Sequence, residues 1–96
     1  MSSILERMKV ALRVTNDRFD DEIAGVITAA RMELIRAGVL ADKANSNDEL
    51  IVSAIRAYVL ATYSTDTKLT DGYMASFEMQ KDNLRKSAGY GFEVKG

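Results

Sequence analysis

The apolar positions of the chain fall at helical spacing in four places. In the segment DDEIAGVITAARMELIRA, Ile23, Val26, Ile27, Ala30 and Leu34 recur at i, i+3, i+4, i+7 and i+11, the spacing of one buried helical stripe. In DELIVSAIRAYVLATY, Ile51, Ala54, Ile55 and Tyr58 make the main line, and Val52, Val59, Leu60 and Tyr63 add a second apolar flank. A helix apolar over so much of its circumference belongs at the centre of a fold or against a neighbouring chain. Near the start, Ile4, Leu5, Met8 and Leu12 share one face of a shorter amphipathic helix over residues 3–13, with Glu6, Arg7, Lys9 and Arg13 opposite. A last helix is expected over residues 70–86, with Tyr73, Met74, Phe77 and Leu84 turned inward.

Polar residues mark where these helices begin and end. Asp17 is the expected N-cap of the second helix, because its short carboxylate can accept an orphan backbone N–H. Asp20, Asp21 and Glu22 follow at the positive end of the helix dipole, and Arg31 and Arg36 lie toward the negative end. Gly38 suits the left-handed residue after that helix, with Val39 packing back on Leu34 in a Schellman turn. Ser46 and Glu49 match the capping box that opens the third helix. Residues 64–69 read as a polar connection. Beyond residue 86, Gly89 and Gly91 stop any helix, and Tyr90, Phe92 and Val94 alternate as an extended segment would. The expected architecture is therefore all-α: a small bundle of three main helices plus a short N-terminal one, with an extended tail over residues 88–96.

Ninety-six residues make one domain, 1–96. Apolar residues at 47% and charged residues at 28% are ordinary for a folded chain. A net charge of −1 gives no footprint for tight nucleic-acid binding. No apolar run approaches the roughly 20 residues that span a membrane, and no signal peptide stands at the start, so a soluble protein made inside the cell is expected. Cysteine and histidine are absent, which removes disulfides, thiolate zinc sites and the usual bases for a serine nucleophile. Asp17, Asp20, Asp21 and Glu22 lack the spacing of a calcium loop, and helix capping accounts for them without a metal. Asp66, Asp71, Glu78 and Asp82 read as solvated helix faces rather than acid–base pairs. No enzyme, cofactor or metal is expected. The methionines Met8, Met32, Met74 and Met79 are read as adaptable core filling.

The segments ILERMKVALRVTND, FDDEIAGVITAARMELIRAG, NDELIVSAIRAYVLATYS and FEMQKDNLRKSAGYGF together resemble the small head–tail connector (adaptor) proteins of long-tailed bacteriophages and prophages. The likeness runs over about residues 4–92. It rests on Asp20-Asp21 before an Ile/Ala-rich helix, on Ala54-Ile55 with Tyr58, and on the last helix with its short tail. The loop ADKANSN departs from the pattern, since many relatives carry an aromatic or proline-bearing insertion there.

The resemblance implies a structural role in virion assembly: a subunit that forms a ring under the portal after DNA packaging, at the virion neck, with its oligomeric state when free, monomer or not, left open by the sequence. Its implied partners are other copies of itself, the portal protein and the next neck or tail-completion protein, with DNA passing through the channel unrecognised. Such a protein is made in the bacterial host cytoplasm and touches no membrane. The side chains expected at its interfaces are Tyr90 and Phe92 in the tail, with Tyr63 and the acidic run Asp20, Asp21 and Glu22 at the rim. Two other readings stand beside it: a small helical protein-binding or regulatory module acting through the apolar third helix, and a DNA-packaging accessory contacting DNA through Arg7, Lys9 and Arg13.

Overall fold

The computed structural model describes residues 3–91. It is all-α and 74% helical, with helices α1 (Ile4–Leu12), α2 (Asp20–Ala37), α3 (Ala41–Ala44), α4 (Glu49–Tyr63) and α5 (Thr67–Lys86). The apolar third helix of the sequence is α4, and it is the centre of the fold: α1, α2 and α5 all pack on it. Ile51, Ala54, Ile55 and Val59 of α4 are wholly buried. Three buried alanines (Ala54, Ala57 and Ala61) keep its surface low enough for neighbours to approach closely. The expected stripe of α2 is buried at Ile23, Ile27, Ala30 and Leu34, while α1 contributes Met8 and α5 contributes Phe77 and Leu84. The Tyr58 and Phe77 rings meet edge to face at 4.9 Å, joining α4 to α5.

Helix ends follow the sequence after α2 and depart from it at the starts of α2, α4 and α5. Gly38 takes the left-handed conformation (φ 116°). Its N–H donates to Ile35 O, the Val39 N–H donates to Leu34 O, and Val39 is fully buried, as the Schellman reading required. The first helix ends similarly at Arg13, which holds φ 61° without being glycine. Asp17, however, does not cap α2. The chain makes a turn in which the Asp20 N–H donates to Asp17 O, and Phe19 occupies the cap position with no side-chain bond. Ser46 does not cap α4 either. Its hydroxyl donates to Lys43 O at 2.6 Å, drawn there by the open carbonyl end of α3, and Asp48 becomes the cap by accepting the Leu50 N–H at 2.9 Å.

The polar loop between α2 and α4 is thus not irregular throughout; it holds the single turn α3, whose Ala44 is buried against the core. The last helix begins at Thr67, three residues earlier than its apolar pattern suggested, because Asp66 accepts both the Lys68 and Leu69 N–H groups. Among the described methionines only Met8 fills the core. Met32, Met74 and Met79 are exposed, and angle explains two of them: Met32 stands two residues from Ala30 and Met79 two from Phe77, about 200° around their helices.

Candidate assembly interface

The exit from α1 shapes the start of α2. After the left-handed Arg13 the chain runs outward and then reverses, with the Arg18 N–H donating to Asn16 Oδ1 at 3.0 Å. The reversal leaves Phe19 at the surface, 41% exposed, with the Arg18 guanidinium 5.6 Å from its ring centre. Between this corner and the end of α4 lies an apolar groove of about 250 Å³ lined by Leu12, Val14, Phe19, Glu22, Ile23 and Tyr63. A second groove of about 400 Å³ adjoins it between α2 and α4, sharing Glu22 and Tyr63 and adding Val26, Ala29 and Tyr58. Tyr63 borders a third depression with Leu60, Leu69 and Tyr73. Partial burial, helped by the Glu22 charge, pushes the Tyr63 phenol above its ordinary pKa.

Helical period splits the acidic run three ways. Asp20 turns inward, and its Oδ1 lies 2.8 Å from the Lys9 ammonium, a largely buried pair that ties α1 to α2. That oxygen is otherwise enclosed and without a hydrogen-bond partner, so the ammonium is what balances it. The same pair raises the Lys9 pKa above the ordinary lysine value. Asp21 faces solvent, and Glu22 faces the grooves. Of the expected rim residues, Tyr63 and Glu22 are therefore brought together, while Asp20 and Asp21 are directed elsewhere.

Tyr90 lies at the opposite end of α2 and is engaged within its own chain. Its hydroxyl donates to Asp48 Oδ2 at 2.9 Å, and the Lys43 ammonium sits 5.1 Å from the centre of its ring. The Leu40 N–H donates to Tyr90 O at 2.7 Å, and Val39 and Gly91 form an antiparallel bridge. Gly91 is required here, because a Cβ would overlap the Arg85 carbonyl on α5. The hydrogen bond from Tyr90, seconded by the Leu50 N–H, holds the Asp48 carboxyl below its usual range, and the same bond pushes the Tyr90 phenol up. Residues 87–91 thus fold back as a strap over α3 and the start of α4. Phe92, the other expected tail contact, lies outside the described residues.

Of the remaining candidate acids, Asp71 is exposed to solvent and the other three have structural work. Asp66 caps α5, Glu78 pairs with Lys81 at 2.9 Å, and Asp82 bridges Arg85 and Lys86. Among the described residues no group of three or more acidic, histidine or cysteine side chains is placed to hold a metal. No helix there is long and apolar enough to cross a membrane. What this surface offers is two adjoining apolar grooves with one carboxylate on their shared edge, suited to receiving another chain.

A family model described as "phage connector protein" matches residues 4–88. The chain belongs to the phage connector protein family. Membership makes it a structural phage protein, a virion component in contact with other virion proteins, and not a member of a known enzyme class. The match spans every helix from α1 to α5 and stops before the Tyr90–Gly91 anchor. No curated protein and no solved structure matches this connector chain.

Sequence reasoning passed over two residues that the connector fold makes prominent. Phe19 stood beside the acidic run as an aromatic in a polar stretch, the one available signal of a surface contact. Arg31 was read only as a dipole partner. Its guanidinium donates to Ala44 O at 2.8 Å, Ser46 O at 2.7 Å and Asn47 Oδ1 at 2.9 Å, holding the whole α3–α4 connection to α2. No local pattern announces that reach.

Proposed function

We propose that this chain is a head–tail connector that assembles as a ring beneath the portal after DNA is packaged and joins the head to the tail. Membership of the connector family over the whole helical body carries the reading. The grooves around Tyr63 and Glu22 support it, since a ring subunit closed by head-to-tail contacts needs a receiving surface distinct from the one it presents. Its partners are then further copies, the portal protein and the next neck or tail-completion protein, and its place is the virion neck. The chain's net charge of −1 suits a channel through which DNA must slide.

A role in gripping DNA through α1 is disfavoured by the ion pairs already made there. Arg7 forms a forked pair with Glu49 at 2.9 and 3.2 Å, and Lys9 is committed to Asp20. Of the three cations that reading needs, only Arg13 makes no ion pair among the described residues.

Electron microscopy of lysates from a phage or prophage carrying a null allele tests the proposal. DNA-filled or leaking heads beside free, complete tails are expected. Normal tailed virions would reject it.

A further inference from the structure

The strap places the start of residues 92–96 at one end of α2, and the apolar groove lies at the other. Gly91 is bridged to Val39, just past the end of α2. The nearest groove residue on that helix is Ile23. At about 1.5 Å per residue, Ile23 and Ala37 stand roughly 21 Å apart along the axis. Five extended residues span at most about 17 Å, and Phe92, the first of them, reaches only a few ångströms past Gly91. The segment cannot fill the groove of its own chain.

Its chemistry nonetheless matches that groove. The residues read Phe-Glu-Val-Lys-Gly, with Phe92 and Val94 at the period-two spacing that would set both on an apolar surface. Leu12, Val14, Phe19, Ile23 and Tyr63 supply such a surface. The charges are complementary as well: Glu22 edges the groove and Arg18 lies over Phe19, and neither makes an ion pair among the described residues. Lys95 and Glu93 carry the opposite signs.

Building on the ring reading above, we infer that residues 92–96 of each subunit dock in the groove at the start of α2 of the next subunit, with Phe92 and Val94 on its floor and Lys95 against Glu22. The contact joins different surfaces on the two copies, so repeating it closes a ring when the rotation allows. The strap fixes the direction in which the segment leaves each body. The test uses the absence of cysteine from the chain. A Val14→Cys, Val94→Cys variant is expressed in place of the wild type, and purified particles are mildly oxidised and blotted for this chain after a non-reducing gel.

A ladder of covalent multimers is expected, about tenfold above that from Met32→Cys, Val94→Cys, since only thiols within disulfide reach will join. Monomer alone, or a chain cross-linked to itself, in particles that contain the variant overturns the docking and leaves the ring reading standing. Absence of the wild-type chain from particles overturns both. A second pair of variants is independent of thiol chemistry. Glu22→Lys is expected to lower incorporation about fivefold by setting like charges together, and adding Lys95→Glu should restore it. Unchanged incorporation of Glu22→Lys, or no rescue, also overturns the docking.

Discussion

Replacing Arg31 with methionine should be the most damaging surface substitution in the molecule. The aliphatic stem is kept, while three hydrogen bonds to the α3–α4 connection are lost. Bonds to a charged donor contribute about 1.5–3 kcal/mol each in favourable settings, and a buried carbonyl left without a partner costs about 1–3 kcal/mol. Ala44 is fully buried, but Ser46 is half-buried and Asn47 exposed, so water can replace part of what is lost. Burial of the guanidinium, which lowers the Arg31 pKa, also subtracts from its net contribution. Counting one carbonyl in full and the other two acceptors in part gives a loss of about 2–3 kcal/mol. For a domain of this size that lowers the melting midpoint by roughly 10–20 °C. Thermal and urea unfolding followed by far-UV circular dichroism measure it. Arg31→Lys should fall between, since an ammonium cannot span three acceptors set out for a fork. A methionine variant within about 0.5 kcal/mol of wild type would refute the reasoning, because that is the range of substitutions that touch nothing.

The strap can be tested residue by residue. Tyr90→Phe removes the bond to Asp48 and should speed hydrogen exchange at the Leu40 amide, whose acceptor is Tyr90 O, while the helices stay protected. The strap should also loosen at both pH extremes. Asp48 has a lowered folded pKa, so its contribution is present above the unfolded carboxylate value and fades as pH falls through the folded one. Tyr90 has a raised pKa, so its contribution is present below the unfolded phenol value and fades as pH rises through the folded one. Leu40 exchange that, after correction for the intrinsic rate, shows no acid limb would exclude the first of these. Gly91→Ala should free the strap without unfolding the body, because its Cβ has no room against α5; a Leu40 exchange rate equal to wild type would show that room exists. Of the two α1 ion pairs, Lys9→Met should destabilise more than Arg7→Met, since Lys9 and Asp20 are 11% and 31% exposed while Arg7 and Glu49 are 39% and 78% exposed. The reverse order in urea unfolding would contradict this. The raised Lys9 pKa means that its share is lost as pH rises through the folded value, whereas the lowered Glu49 pKa means that its share is lost in acid.

The helices, their inward stripes and the all-α class were legible in the chain because each is a local property. Side chains recur every 3.6 residues whatever lies around them, and a glycine such as Gly38 ends a helix through its own freedom at positive φ. The central place of α4 could also be read, since no surface helix is apolar on so many sides. Family membership followed from the same order of segments.

What the sequence left open was every choice between equivalent local partners. Asp17 and Ser46 were the expected caps, and only the placed chain decided that the Ser46 hydroxyl would serve the end of α3 and that Asp48 would take both the Leu50 amide and the Tyr90 hydroxyl. Asp20, Asp21 and Glu22 are chemically alike, yet the packing of α1 across α2 buried one against Lys9, left one in water and set one beside Tyr63. Arg31 and Tyr90 reach partners 13 to 42 residues away, and such contacts depend on how helices cross rather than on spacing along any one of them. Local periodicity fixes which face of each helix is apolar; only tertiary packing determines which polar groups those faces carry into contact, because that depends on distances no single segment contains.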